Sequence, residues 1–214
     1  MPAHRQRARS LRNHDHDRDQ RRAARREELL DAALRAIRRD GPSVSMEAIA
    51  AEAGCSKPIV YRHFRDRDGL SEALAARFAG DLVAAVDQAL TTDLPPEQLL
   101  RSTIDTYLAF VERDPNLYRF LIARLADQQG ATATQGLVAR VGQRVAIVLG
   151  EQLRALGLDS GAAEPWAFGI VGMVHLAGDW WLDRGTLTRE RLVDYLTALL
   201  WRGLSTAATS GDSR

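Results

Sequence analysis

Within the run SMEAIAAEAGCSKPIVYRHF, from Ser45 to Phe64, the residues Lys57, Pro58, Tyr61 and Arg62 make a cationic and aromatic set suited to a polyanion such as DNA. Lys57 is the sole lysine of the chain, every other fixed side-chain cation being an arginine. An ammonium is a compact charge on a flexible stem, a guanidinium a planar fork, so a single lysine at the start of a short helix is a position to test rather than one more charge.

Such side chains need a frame, and the surrounding sequence supplies one. Upstream, Leu30, Ala33, Leu34 and Ile37 recur at spacings of three and four, which predicts a helix from about Arg25 that ends at Gly41-Pro42. Ser45 is a candidate N-cap for a second helix, with Glu47 in the first turn, where the helix dipole favours an acid. Ile49, Ala50 and Ala53 give that helix a small apolar face. Gly54 can take the left-handed conformation of a sharp turn, and Ser56 can cap a third helix whose first turn tolerates Pro58. In that helix Val60 and Phe64, four apart, face inward, so Lys57, Pro58, Tyr61 and Arg62 project elsewhere. The expectation is a helix-turn-helix.

A longer helix is expected after Asp66 or Asp68, with Leu70, Leu74, Phe78, Leu82, Val83 and Val86 as its apolar stripe. Beyond Pro95-Pro96, helical periodicity returns in about five segments, roughly 97–113, 115–128, 134–156, 160–183 and 188–204, and strand alternation with hairpin signals is not found. The chain therefore reads as all-α, with a three-helix DNA-binding domain at 23–70 and a second helical domain at 71–206. Residues 1–22, rich in Arg, His, Asp and Gln without apolar periodicity, read as a disordered arm, and 207–214 as a disordered tail. The arm could be a solvated tail or could add phosphate contacts. Its run His14-Asp15-His16-Asp17 lacks neighbours that would hold metal ligands in place, so no metal and no cofactor are expected.

The bulk numbers agree. With 214 residues, 45% of them hydrophobic, the chain can bury a real core. The net charge of +1 divides into +5 over residues 1–80 and −4 over 81–214, so a polyanion would be met by the front. Cys55 is the one cysteine, which permits no internal disulfide and suits a reducing cytoplasm. The first residues lack the apolar segment of a secretory signal, and the apolar run from Trp166 to Gly178 is shorter than the roughly 20 residues of a spanning helix. A soluble protein without a membrane partner is expected.

At Ser45–Phe64, with the apolar helix before Gly41 and the following RDRDGLSEAL, the sequence resembles a TetR-family transcriptional regulator over about residues 25–78. The resemblance implies that Lys57, Pro58, Ile59 and Arg62 face base edges in the major groove and that Tyr61 and His63 hold phosphates. Ser45 and Arg67 would add backbone contacts. The chemistry is consistent: arginine binds guanine bidentately, an apolar side chain meets a thymine methyl, and hydroxyl or imidazole groups bind phosphate oxygens. Cys55 stands where the family commonly has an aliphatic residue, often valine, and is expected to act as a small half-buried hydrophobe.

The family's last two long helices usually build a four-helix bundle between two subunits. All four tryptophans lie in the last quarter of the chain, which suits a large interface. Trp166, Gly169, Gly172, Trp180, Leu192, Tyr195, Leu196 and Leu199 are the expected contacts of a homodimer. A twofold dimer implies a palindromic operator and repression by occlusion. A ligand pocket is expected among 97–128 and 160–183, with Tyr107, Phe110, Tyr118, Phe120 and Leu121 as apolar lining and His175 or Asp179 as the polar handle. Its ligand would be a mostly apolar small molecule. The sequence offers no phosphate-cradling glycine loop, H-E-x-x-H helix, cysteine pair or nucleophile elbow, so an enzyme is not expected. The remaining alternative is a DNA-organising or partner-binding protein on the same scaffold, without a small-molecule inducer.

Overall fold

The computed structural model describes the backbone of residues 3–41, 43–120 and 132–210, and within it the side chains of 16–41, 43–120 and 138–206. Among the described residues there are helices and turns and no strand. The chain divides into two compact units, Met1–Leu74 and Ala75–Arg214.

The first unit is built from α1 (Ala3–Asp40), α2 (Met46–Glu52), α3 (Lys57–Phe64) and the opening turns of α4 (Arg67–Leu90). Its core joins Leu29, Ala33, Ala36 and Ile37 of α1 to Ile49, Val60, Phe64 and Leu70, all nearly or fully buried. Burial of the large side chains among them stabilises by about 1.5–3 kcal/mol each. Ser45 caps α2 through its Oγ, which accepts the Ala48 N–H at 3.1 Å. Ser56 occupies the N-cap position of α3 but makes no side-chain capping bond there.

The turn between α2 and α3 closes through Gly54 N–H to Ala51 C=O at 3.1 Å and Cys55 N–H to Ala50 C=O at 3.0 Å. Gly54 sits at φ 61°, a left-handed conformation that costs glycine nothing and other residues about 1–2 kcal/mol. Exposed ion pairs from Arg35 and Arg39 to Glu52 add a second link between α1 and α2; each is worth at most about 1 kcal/mol.

The helix α1 begins at Ala3, where composition alone suggests a disordered arm over 1–22. The physical reason is local: no glycine or proline interrupts 3–40, Arg, Gln, Ala and Leu are good helix formers, and Asp17 pairs with Arg21 one turn on. Apolar periodicity marks a buried face, and an exposed helix has no need of one.

The second unit contains the rest of α4, α5 (Pro96–Arg113), a helical stretch at 115–120, α6 (Thr132–Ala155), a 3-10 turn at Ser160–Ala162, α7 (Ala163–Arg184) and α8 (Arg189–Ser210). Helix α6 packs along α7, and α5 along α8. Gly142 of α6 lets the Phe168 ring approach, since a Cβ there would stand 3.2 Å from it. Arg189, at the start of α8, holds Asp105 at 2.9 Å and also pairs with Glu112, both on α5. Trp181 is buried and donates its indole N–H to the Leu187 carbonyl at 2.7 Å, which fixes the bend into α8.

Candidate nucleic-acid interface and ligand cavity

Helix α3 is anchored by Val60 and Phe64, and a helical period then places Arg62 and Pro58 furthest from the anchor. Both are exposed, while Lys57, Ile59, Tyr61 and His63 flank them half-buried. Arg26 of α1 holds the end of the helix, donating to the His63 carbonyl at 2.9 Å with its guanidinium 4.5 Å from the centre of the Phe64 ring. It supplies one of the last-turn carbonyls with a partner that the helix itself lacks. Of the six residues from Lys57 to His63 singled out by sequence, two are therefore exposed and four half-buried, with Ser45 exposed at the start of α2 and Arg67 half-buried at the start of α4.

Electrostatics distinguishes these groups. Lys57 pairs with Glu47 of α2, which raises the lysine above its ordinary pKa and lowers the glutamate below its own. The Lys57 ammonium also lies 5.7 Å from the centre of the Tyr61 ring. Arg62 has no carboxylate partner among the described residues. His63 is held below the ordinary histidine value first by burial and then by the charges of Arg62, Arg22, Arg25 and Arg26, all of which favour the neutral ring. Cys55 is half-buried.

The second unit contains a partly open cavity of about 140 Å³. Its wall draws on α5 (Leu99, Leu100, Ile104, Tyr107), α6 (Val141, Val145, Val148, Leu149) and α7 (Ile170, Val171, Val174), closed by Val86 and Leu90 of α4 and Trp201 and Leu204 of α8. Thr103 and Gln152 are its polar members. Of the residues expected to line a pocket, Tyr107 stands in this wall. Phe110 and Phe120 are instead buried core, with Phe110 edge-on to Phe78 at 5.0 Å. Leu121 lies outside the described residues.

Tyr118, His175 and Asp179 form a polar cluster with Tyr107 in place of lining the wall. The Tyr107 hydroxyl is 2.9 Å from His175 Nδ1, Tyr118 donates to Asp179, and His175 Nε2 is 3.8 Å from the Asp179 carboxylate. Burial is the main cause that raises both tyrosines well above their ordinary pKa, so they stay protonated and serve as donors. The part of the wall that sequence reasoning missed lies on α6, where Val141, Val145, Val148 and Leu149 follow helical spacing. That signal is visible in the chain, but it reads equally as plain core.

Helix α7 is apolar on two sides. Ala167, Val174, Gly178 and Trp181 face the core, whereas Gly169, Met173, Leu176 and Trp180 are exposed, Leu176 to 68%. On α8, Tyr195 and Leu199 are exposed one turn apart, Leu199 to 62%. Leu192 and Leu196, expected at an interface, are buried within the subunit on the flank of α8 next to Tyr195 and Leu199, and α8 packs along α5. Trp166 and Gly172 are intermediate. Met173 and Leu176 were not singled out from sequence, because in a helix apolar all round the sequence does not say which face the chain itself covers.

Comparison with known proteins accounts for both units. Residues 29–74 match the model for bacterial regulatory proteins of the tetR family, and 82–214 match the tetracyclin repressor-like C-terminal domain. An uncharacterized HTH-type transcriptional regulator of Mycobacterium tuberculosis is 36% identical over 91% of this chain and 83% of its own. The HTH-type transcriptional activator FasR of Mycolicibacterium smegmatis is 31% identical over 85% of this chain and 83% of its own. A TetR-like transcriptional regulator from Rhodococcus sp. RHA1 superposes with a TM-score of 0.63 at 28% identity, covering 86% of this chain and 97% of that one. The chain belongs to the TetR family of helix-turn-helix DNA-binding transcriptional regulators.

Proposed function

We propose that the protein is a homodimeric repressor that places α3 of each subunit in the major groove of a palindromic operator and leaves it when a mostly apolar small molecule enters the cavity of the second unit. The ligand half rests on one observation, an almost wholly aliphatic cavity of about 140 Å³ inside a helical core. A dry apolar void of roughly 150 Å³ takes a benzene-sized guest. A larger lipid-derived or aromatic effector that parts the helices around the cavity gains the differential affinity for two states that release from DNA requires. No described helix is long and apolar enough to cross a membrane.

Repression by occlusion is the proposed sign, although the relative FasR is named an activator. A reporter driven by the bound promoter decides between them: expression rises when the gene is deleted if the protein represses, and falls if it activates.

On DNA, Arg62→Ala is expected to cost about 1–3 kcal/mol and to relax preference at one base pair, whereas His63→Ala weakens all sequences alike. Titration of matched and mismatched operators reads the difference. Equal loss on both duplexes for Arg62→Ala removes the base-reading role.

Filling the cavity tests the ligand half. Val145→Phe places a ring in the void, and at least a tenfold higher dose of a releasing compound from a fatty-acid and aromatic library should then be needed, with operator affinity unchanged. An unaltered dose response places the effector elsewhere.

A further inference from the structure

Arginines of α1 lie beside both ends of α3. Arg26 bonds the His63 carbonyl near the end of α3, and the Cys55 thiol in the turn before α3 is among the groups that bear on Arg25. The charges of Arg22, Arg25, Arg26 and Arg62 all bear on the His63 imidazole. Four cations around a neutral imidazole repel one another until an anion sits among them. Arg25 is the member with a carboxylate of its own, Glu28 at 2.6 Å.

The same face continues outward. At 100° per residue Arg18, Arg22, Arg25 and Arg26 share one side of α1 with Asp19 at its edge, while Glu27 and Asp31 fall on the opposite side. Arg18 and Arg22 are exposed and have no carboxylate partner among the described residues, unlike Arg21, which pairs with Asp17. One turn of helix separates Arg18 from Arg22, about 6 Å along the axis.

We infer that Arg18, Arg22 and Arg25 of α1 form, with Arg62 and His63, a phosphate track that grips the DNA backbone flanking each operator half-site without reading its sequence. The inference rests on α3 meeting DNA as proposed above, and adds α1 to the interface. Charge complementarity names the occupant: a row of guanidiniums spaced along a straight helix suits the regularly spaced phosphates of a duplex. Helix α1, which runs through the stretch where composition suggests a disordered arm, extends the footprint.

The test is fluorescence anisotropy of full-length protein on a labelled operator and on a scrambled duplex, titrated at several salt concentrations between about 50 and 200 mM. Arg18→Gln/Arg22→Gln should weaken both duplexes by the same factor, about tenfold or more, and lower the slope of log affinity against log salt by about 0.9 for each phosphate no longer neutralised. Arg18→Lys/Arg22→Lys keeps the charges and should retain most of the affinity. Two results overturn the inference. One is a parent-like slope and affinity for the glutamine variant while His63→Ala still weakens binding, which leaves α3 as the interface and α1 idle. The other is a loss confined to the operator, which makes the α1 arginines base readers. If His63→Ala and Arg62→Ala are themselves without effect, the assignment of α3 fails and the inference falls with it.

Discussion

Leu176→Asp is expected to leave the proposed dimer monomeric and to reduce operator affinity by about 100-fold or more, as loss of avidity between two linked half-sites implies. The argument starts from exposure. Met173, Leu176 and Trp180 on α7, with Tyr195 and Leu199 on α8, place five large apolar side chains at 40–68% exposure, including every exposed tryptophan among the described residues. Scattered apolar residues on a surface need no explanation, but a stripe at helical spacing on two successive helices is the kind of patch that marks an interaction site. Gly169 and Gly172 on the same helix have open space where a Cβ would stand, which lets a second backbone come close.

Burying a leucine fully is worth about 1.5–3 kcal/mol, and an unpaired carboxylate in its place adds a desolvation cost of several kcal/mol more, counted once for each of two equivalent positions in a twofold interface. Light scattering and anisotropy on the purified variant check both parts. A Leu176→Asp protein that remains dimeric with parent-like DNA affinity removes this face from the interface. Leu192→Ala provides the contrast: its side chain is buried within the subunit, so it should lower thermal stability by about 2–5 kcal/mol without selectively splitting the dimer.

The second large effect is expected at Gly69→Ala. Asp66 caps α4 by accepting the Gly69 N–H at 2.7 Å, and this capped turn brings the chain so close to the end of α3 that an added Cβ would lie 2.1 Å from the Phe64 carbonyl oxygen. No real Cβ sits at that distance, and the obstacle is backbone, so α3 and α4 must move apart. Overpacking in well-packed regions costs about 1–3 kcal/mol and sometimes more. Where α3 gives way, the proposed reading helix is displaced and DNA affinity should fall as well. Gly80→Ala is the control. It lies within α4 with open space where the alanine methyl would stand, and a helical alanine there should stabilise by about 0.5–1 kcal/mol. Melting curves of the two variants that coincide contradict the close approach at Gly69.

The same residues show what a sequence can and cannot reveal about this fold. Val60 and Phe64 were legible because they are the one purely apolar pair four residues apart in this short helix. Gly54 was legible because a sharp turn between two helices demands a left-handed residue there. The close approach at Gly69 was not, since it depends on where the Phe64 carbonyl comes to rest and on no pattern in the chain. In α8 the sets Leu192/Leu196 and Tyr195/Leu199 are equally apolar, and the packing of α5 decides which is covered. The cavity escaped sequence reasoning for a related reason: a void is defined by how facing helices fail to fill space, whereas aromatic residues such as Phe110 and Phe120 attract attention and here simply fill the core. The cluster of Tyr107, Tyr118, His175 and Asp179 drew notice as a polar handle, and its hydroxyl and imidazole groups satisfy one another.

The central claim is that two copies of α3, held in one dimer, read a twofold-related DNA site. The most direct measurement is selection of binding sites from a random duplex library by the purified full-length protein, with the mass of the complex measured on the selected site. The expected result is a palindrome whose half-sites lie about 34–36 Å apart or at a multiple of that spacing, bound by an even number of subunits. Sites without a common motif, or a single unrepeated half-site occupied by one subunit, would contradict it.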